Sequence, residues 1–295
     1  MAVETNLNIS VSAVSRPKKR RLWQRVRRHP TVIGGVSILL LIVIASVAAP
    51  LLTPYNPLTL DVMHRLLPPG GSHYFGTDAY GRDVFSRVLY GGRISLFTGA
   101  AVTLVAVGGG TLIGLITGYF RKLDPVIMRL SDGLMAFPSI LLAIALRGAM
   151  GPSLFTVILA LGIAYLPRVV RIVRGSVIVL REMTYVEAAD AIGSGTGRIL
   201  FRHILPNALG LLLVQVTFIF SYAVLGESAL DFLGVGISPE TPSWGGVISD
   251  GRLYIVIAPW LTIFAGLFIM ITVLALNITG DGLRDMLDPR LRNLK

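Results

Sequence analysis

Six long segments that are almost free of charge constrain this chain more than any other feature of its sequence. The first, residues 31–53, contains no charged side chain at all. An α-helix rises about 1.5 Å per residue, so roughly 20 apolar residues cross a hydrocarbon layer of about 30 Å. The sequence therefore predicts an all-α polytopic membrane protein. Its six predicted transmembrane helices are residues 31–53, 94–120, 126–146, 153–173, 208–230 and 255–279.

Composition excludes the common soluble classes. Apolar residues make up 53% of the chain and charged residues only 15%, whereas soluble domains carry about a quarter charged residues. With the N-terminus in the cytoplasm, most lysines and arginines fall on the cytoplasmic side, as the positive-inside rule requires. We therefore expect both termini to be cytoplasmic. The net charge of +11 reflects this topology and argues against a nucleic-acid partner.

The predicted spans and loops divide the chain into four parts. The first apolar segment is longer than the core of a signal peptide, about 7–15 residues, so we expect it to be retained as an anchor. The parts are a basic cytoplasmic tail (1–30), an anchoring span with an extracytoplasmic segment (31–90), a core of five spans that includes a cytoplasmic loop at 184–207 (91–280), and a cytoplasmic tail (281–295).

Motifs for bond-making chemistry are missing from the sequence. No lysine follows a glycine, so there is no phosphate-binding loop that ends in Gly-Lys-Ser/Thr. No histidine is followed by glutamate, no serine lies in a G-x-S-x-G turn, and cysteine is absent. We therefore predict a protein without catalytic residues, metal ligands or a cofactor of its own.

The cytoplasmic loop between the fourth and fifth spans has the most informative pattern. Thr184 and Glu187 have the spacing of a capping box, which predicts a helix that begins near Tyr185. Gly193 and Gly195 can adopt positive φ and are expected to end this helix in a sharp turn.

A second short helix is expected over residues 198–205. Thr196 is predicted to cap it, and Pro206 is predicted to end it. The two helices would form an L on the cytoplasmic side. Such a connector could occur in any polytopic protein.

The same loop resembles the EAA loop of the permeases of type I ATP-binding-cassette (ABC) importers. His203 departs from that pattern, in which isoleucine is usual, but the peptide-permease branch commonly reads HILPN here, as this chain does. Residues 73–96, 230–252 and 280–292 resemble the second permease subunit of dipeptide, oligopeptide and nickel importers. The residues that match the EAA loop are Glu187, Ala188, Ala189, Gly193, Leu205 and Pro206.

This resemblance implies the fold, the partners and the mechanism. The core would be a type I importer transmembrane domain in a bacterial cytoplasmic (inner) membrane. Its partners would be a homologous permease in a heterodimer, two ATP-binding subunits and an extracytoplasmic solute-binding protein. ATP and Mg²⁺ would be used by the ATPase subunits alone. Di- or oligopeptides would be imported by alternating access, with nickel or glutathione as the alternative substrate.

The resemblance also assigns a role to the EAA loop. The helix around Glu187 would couple the spans to a groove of the ATPase. Glu187 would either cap its own helix or pair with a basic group of the ATPase. A proton-coupled secondary carrier is a distant alternative, but it predicts an inverted repeat or paired helix breaks, which the sequence does not show.

Ionisable residues within the spans are further candidates. A charge at mid-bilayer costs about 2.5–3.5 kcal/mol on insertion scales, so Glu227 is predicted to line the translocation path or an intersubunit contact. Burial against a neighbouring span is the alternative. Asp132 is expected to pair with Arg129, one turn away, and Asp231 is not expected to face lipid.

Small and charged residues elsewhere predict local structure. Three glycines at positions 110, 114 and 118 favour close helix packing over a gating hinge. Pro138 is expected to kink the third span. The spacing of Asp78, Arg82, Asp83 and Arg87 predicts a surface helix with local ion pairs on the extracytoplasmic side.

Overall fold

A computed structural model describes residues 29–151, 153–238 and 240–287. The described residues are mostly helical and contain no β-strand. The predicted basic tail lies outside them except for its last two residues, and so do residues 288–295 of the C-terminal tail. The helices are α1 (Pro30–Val47), α2 (Val84–Tyr119), α3 (Asp124–Met135), α4 (Ser139–Met150), α5 (Leu154–Arg181), α6 (Thr184–Ala191), α7 (Thr196–Phe232), α8 (Trp244–Gly251) and α9 (Trp260–Leu287).

Five helices of the described chain, α1, α2, α5, α7 and α9, are long and apolar enough to cross a membrane. Helix α2 begins ten residues before the predicted second span. Asp83 caps it by accepting a hydrogen bond from Ser86 N at 2.8 Å. Arg93 lies inside this helix and donates to the backbone oxygen of Ser46 at the end of α1 (2.7 Å). Polar partners therefore extend the helix beyond its apolar stretch.

The third predicted span, residues 126–146, is broken in two. Helices α3 and α4 meet at an angle of 94°, because Pro138 adopts an extended conformation (φ −52°, ψ 129°) between them. The predicted kink is therefore a full break. Asp132 on α3 pairs with Arg171 on α5 (2.5 Å), so the expected local pair with Arg129 is wrong. Arg171 lies across the helix interface, which spacing along one helix cannot reveal.

Helix α7 continues through Pro206, so the predicted helix end at this proline is wrong. Residues Ile199–Ile204 form π-helical turns, and the regular α-helical segment starts at Leu205. Proline is tolerated at the beginning of an α-helical segment because its missing N–H is not needed there. The side-chain amide of Asn207 donates to the backbone oxygen of His203 at 2.6 Å.

Contacts between neighbouring helices join the spans into one bundle. Helix α1 packs on α9, α9 on α7, α7 on α2, and both α2 and α4 on α5. Helix α8 packs against α2, α7 and α9 at the end of the bundle where α2 and α9 begin. Large apolar side chains on the outside of the bundle, such as Leu41 and Leu104, are exposed, as expected for helices that face lipid or a second membrane subunit.

The most extensive helix contact in the described part of the chain lies between α2 and α5. Each of three glycines on α2 faces a valine on α5, and a Cβ atom at Gly114 would lie 2.7 Å from Cβ of Val173. The close packing predicted from the glycine spacing is confirmed. The facing pairs are Gly110 with Val169, Gly114 with Val173, and Gly118 with Val177.

We expect Gly114→Ala to destabilise the bundle by about 1–3 kcal/mol, the usual cost of overpacking. The added methyl group would clash with Val173 and with the backbone oxygen of Val170. The measurement is the thermal unfolding midpoint of the purified assembly. Val173→Ala should partly restore the midpoint in the double variant, and Gly108→Ala, which has open space around it, is the control. Equal midpoints for Gly114→Ala and Gly108→Ala would contradict this prediction.

Candidate functional site

Helix α6 carries the Glu-Ala-Ala residues of the loop. The helix starts at Thr184, and its N-cap is Met183, which forms no side-chain cap. Thr184 is therefore the first helical residue and not the cap, so the predicted capping box is wrong. Glu187 is exposed in the first turn.

Gly193 ends α6 in a left-handed conformation, with φ +77°. Its N–H donates to Asp190 O (2.8 Å), and Ser194 N–H donates to Ala189 O (3.0 Å), which is the Schellman pattern. The sharp turn predicted at Gly193 is confirmed. Gly195 has φ −62° and ψ 148°, so its predicted positive φ is wrong, because one left-handed residue is enough to reverse the chain.

Gly195, not Thr196, is the N-cap of α7, and no side chain caps that end. The predicted cap by Thr196 is therefore wrong. Thr196 is already the first residue of the continuous helix that includes the π-helical turns. The predicted separate short helix is consequently the first part of α7.

The inner face of α6 is packed against the bundle. Val186 and Ala189 are buried and belong to one apolar cluster with Val177 of α5 and Ile199 of α7. Leu205 packs against the same cluster. A displacement of α6 therefore acts directly on two long helices.

The outer face of α6 is open. Glu187 and Ala188 are exposed, and the following Ile192 side chain is 83% exposed. Pro206 is also exposed at the beginning of α7. Tyr185 lies at the edge of this surface, where its hydroxyl accepts a hydrogen bond from Asn207 Nδ2 at 3.2 Å, which ties α6 to α7.

A buried charge cluster lies at the end of the bundle where α2 begins. Asp78 accepts from Arg82 Nε at 2.6 Å and from Arg87 Nη1 at 2.7 Å. Asp250, on α8, accepts from both arginines at 2.8 Å. The predicted surface helix is wrong, because Asp78 and Arg82 precede α2 and their side chains are at least 90% buried. Asp250 was missed because it lies more than 160 residues further along the chain.

Asp83 connects a neighbouring loop to α2. The Asp83 carboxylate caps the helix and also lies 2.9 Å from Nδ1 of His73. The ring of Tyr55 stacks on the His73 imidazole, with a distance of 4.7 Å between the ring centroids. The irregular segment before α2 is thus attached to the helix start. Among the described residues, no three histidine, aspartate or glutamate side chains are placed to hold a metal ion.

Glu227 is completely buried within the chain. Its carboxylate accepts from Ser95 Oγ on α2 at 3.3 Å and from Ser228 Oγ at 3.2 Å. This position favours the alternative stated above, burial against a neighbouring span. Asp231 is also buried and does not face lipid, as expected.

Two parts of the chain match models of known protein families. Residues 110–293 match the family model described as binding-protein-dependent transport system inner membrane component. Residues 19–69 match the N-terminal transmembrane domain of oligopeptide transport permease C. The first of these matches includes α6 and the two helices that it contacts.

Relatives along nearly the whole chain agree with this match. A putative peptide transport system permease protein of Brucella abortus is 49% identical over 269 residues, 91% of each chain. The dipeptide transport system permease protein of Alkalihalophilus pseudofirmus is 43% identical, covering 93% of this chain and 90% of its own. The glutathione transport system permease protein of Pectobacterium atrosepticum is also 43% identical, covering 93% and 92%. This chain therefore belongs to the family of inner membrane permease components of binding-protein-dependent ABC transport systems.

Proposed function

We propose that this chain is the permease subunit of an ABC importer that carries di- and oligopeptides across the cytoplasmic membrane by alternating access. The observation that carries the proposal is the two-sided packing of α6. Its inner face is fixed to α5 and α7, and its outer face is exposed. A helix of this kind transmits a rigid-body displacement from a partner to the spans.

The coupling surface consists of the exposed residues on and near α6, together with the residues that hold the helix in place. Glu187 pairs with a basic group of the ATPase. Its carboxylate is available for this pair, because the capping box that would otherwise engage it does not form. Ala188 allows close approach of the partner, and Ala189 anchors the helix. Gly193 turns the chain within the groove of the ATPase, and Leu205 and Pro206 join the surface to α7.

The importer would combine this chain with a homologous permease, two ATP-binding subunits and an extracytoplasmic binding protein. Both termini would lie in the cytoplasm, on the same side as α6. ATP and Mg²⁺ would be bound by the ATP-binding subunits, and this chain would supply no catalytic residue. The absence of a phosphate-binding loop from the sequence supports this division of roles.

Peptides are the proposed cargo because relatives along most of the chain are named as peptide and dipeptide permeases. Glutathione is the second candidate, favoured by the relative from Pectobacterium atrosepticum, which is as similar as the dipeptide permease.

The test is uptake by cells that lack only this chain. We expect accumulation of labelled dialanine and of longer peptides to fall to background and to return when the intact chain is supplied. Glutathione and nickel uptake are measured in the same cells. If peptide uptake is normal and glutathione uptake is lost, glutathione becomes the proposed cargo. If only nickel uptake is lost, both peptides and glutathione are excluded as the cargo.

A further inference from the structure

An extracytoplasmic pocket of about 570 Å³ lies between the start of α5, the segment that follows α7, and α8. This volume is within the range of small-molecule sites, about 300–1,000 Å³. Nine of its fifteen lining residues are polar or charged, including two arginines, two aspartates and four serines, and apolar atoms form the rest of the wall. None of these groups belongs to the cytoplasmic coupling surface.

Both arginines of this pocket have unused hydrogen-bonding capacity. Arg87 is 2% exposed, and its Nη1 is held by Asp78 and Asp250, but its Nε is buried without a partner. Arg147 donates from Nη2 to Gly236 O at 2.6 Å, and its Nε is likewise buried without a partner. Buried donors are nearly always paired in folded proteins. Within the described part of the chain only four buried side-chain atoms lack a partner, and two of them are these Nε atoms.

The acidic groups of the pocket are already engaged. Asp231 accepts from Ile237 N at 2.6 Å and from the hydroxyl of Ser243. Asp250 accepts from two arginines. Both bonds to Asp250 go to its Oδ2 atom. The pocket therefore places two unpaired Nε donors beside carboxylates that are already engaged by donors, and a carboxylate is the group whose two oxygens match the donors of arginine.

We propose that this pocket binds the C-terminal carboxylate of a peptide on the extracytoplasmic side, next to Arg87 and Arg147. This inference rests on peptide import as the proposed function. The acidic side chain of a docked protein offers the same carboxylate. However, one such side chain would leave most of the pocket volume unfilled, whereas the terminal residues of a peptide would fill it.

The absence of cysteine from the sequence allows a direct test. Ser238 is exposed and lines the pocket, so Ser238→Cys introduces a unique thiol into this chain. The assembled importer, without binding protein, is placed in lipid nanodiscs and treated with a fluorescent maleimide. Labelling is carried out with dialanine, with dialanine amide or with neither. The labelling rate of this chain is then read from a gel. Ser72→Cys, exposed on the same side but outside this pocket, is the control thiol.

We expect dialanine to slow labelling of Ser238→Cys but not of Ser72→Cys, and dialanine amide to slow neither. Adding Arg147→Gln should raise the dialanine concentration for half-maximal protection about tenfold or more, the effect of losing a hydrogen bond to a charged group. Arg252→Gln is the matched control, because Arg252 also donates to a backbone oxygen, that of Phe232, but does not line the pocket.

Equal protection by the amide, no protection by dialanine, or full protection in the Arg147→Gln variant would overturn the inference. A further outcome is that the peptide-free binding protein protects the thiol from labelling while dialanine does not. That result would assign the carboxylate to a docked protein and would also overturn the inference. Peptide uptake in cells is measured separately. Normal uptake with no protection would therefore reject the pocket while leaving the proposed function intact.

Discussion

Replacing Gly193 with proline should abolish peptide uptake while leaving the amount of the chain in the membrane unchanged. Gly193 has φ +77°, whereas proline is restricted to φ near −65°. Its N–H also donates to Asp190 O, and proline lacks this donor. The Schellman turn would therefore open, and the outer face of α6 would lose its orientation toward the ATPase. Uptake of labelled dialanine and immunoblotting of membranes measure the two effects.

Gly195→Pro provides a matched control only two residues away. Gly195 has φ −62° and ψ 148°, which proline adopts without strain, and a Cβ atom there would meet no neighbour within 4 Å. We expect this variant to transport at the level of the unmodified chain. Co-purification of the ATP-binding subunits should be lost with Gly193→Pro and retained with Gly195→Pro. Equal uptake by the two variants, at equal abundance, would refute the coupling role of α6.

Replacing Asp78 with asparagine should destabilise the end of the bundle that holds the buried charge cluster by about 3 kcal/mol, the lower range for breaking a buried ion pair. One oxygen of Asp78 accepts from backbone N–H groups, including Arg82 N at 2.9 Å, and asparagine can keep these bonds. The other oxygen accepts from both arginines. An amide NH₂ there would point a donor at two donors, and Asp250 would remain as the only counter-charge.

The measurement is the thermal unfolding midpoint of the purified assembly, with Asp61→Asn as the control. A hydrogen bond from His64 lowers the pKa of the Asp61 carboxyl, so this aspartate is charged at neutral pH, and the control removes a charge of the same kind. Its pair is exposed, however, with 49% of the Asp61 side chain accessible, and exposed pairs contribute little. We expect its midpoint to stay unchanged. Equal midpoints for the two variants would show that the buried cluster does not stabilise this end.

Some features could be predicted because they depend on short-range rules. Five of the six apolar segments form long helices that could cross a membrane, since the bilayer core has no water to satisfy a free backbone. Glycines four residues apart lie on one helix face, which is why close packing of α2 was predicted from Gly110, Gly114 and Gly118, although the structure alone identifies α5 as the partner. The turn at Gly193 was likewise predictable, since glycine is the residue that adopts positive φ most easily.

Other predictions failed where partners are distant in sequence or where local rules compete. Asp132 pairs across an interface with Arg171 rather than with Arg129. Thr184 was expected to cap a helix that it instead begins. Pro206 was expected to end a helix, but the π-helical turns before it lead directly into an α-helix that contains Pro206. In each case the local pattern allowed two structures, and contacts with other helices selected one.

The sequence by itself determined the class of this protein, five of its six predicted membrane segments, the sharp turn at Gly193 and the family to which the chain belongs. Tertiary structure alone decided the partners of its charges. Asp250 meets Arg82 and Arg87 only because α8 packs against α2, and Glu227 is buried only because α7 packs there as well. The physical reason is that hydropathy acts along the chain, residue by residue, whereas ion pairs and pockets depend on side chains that only the packing of the helices brings together.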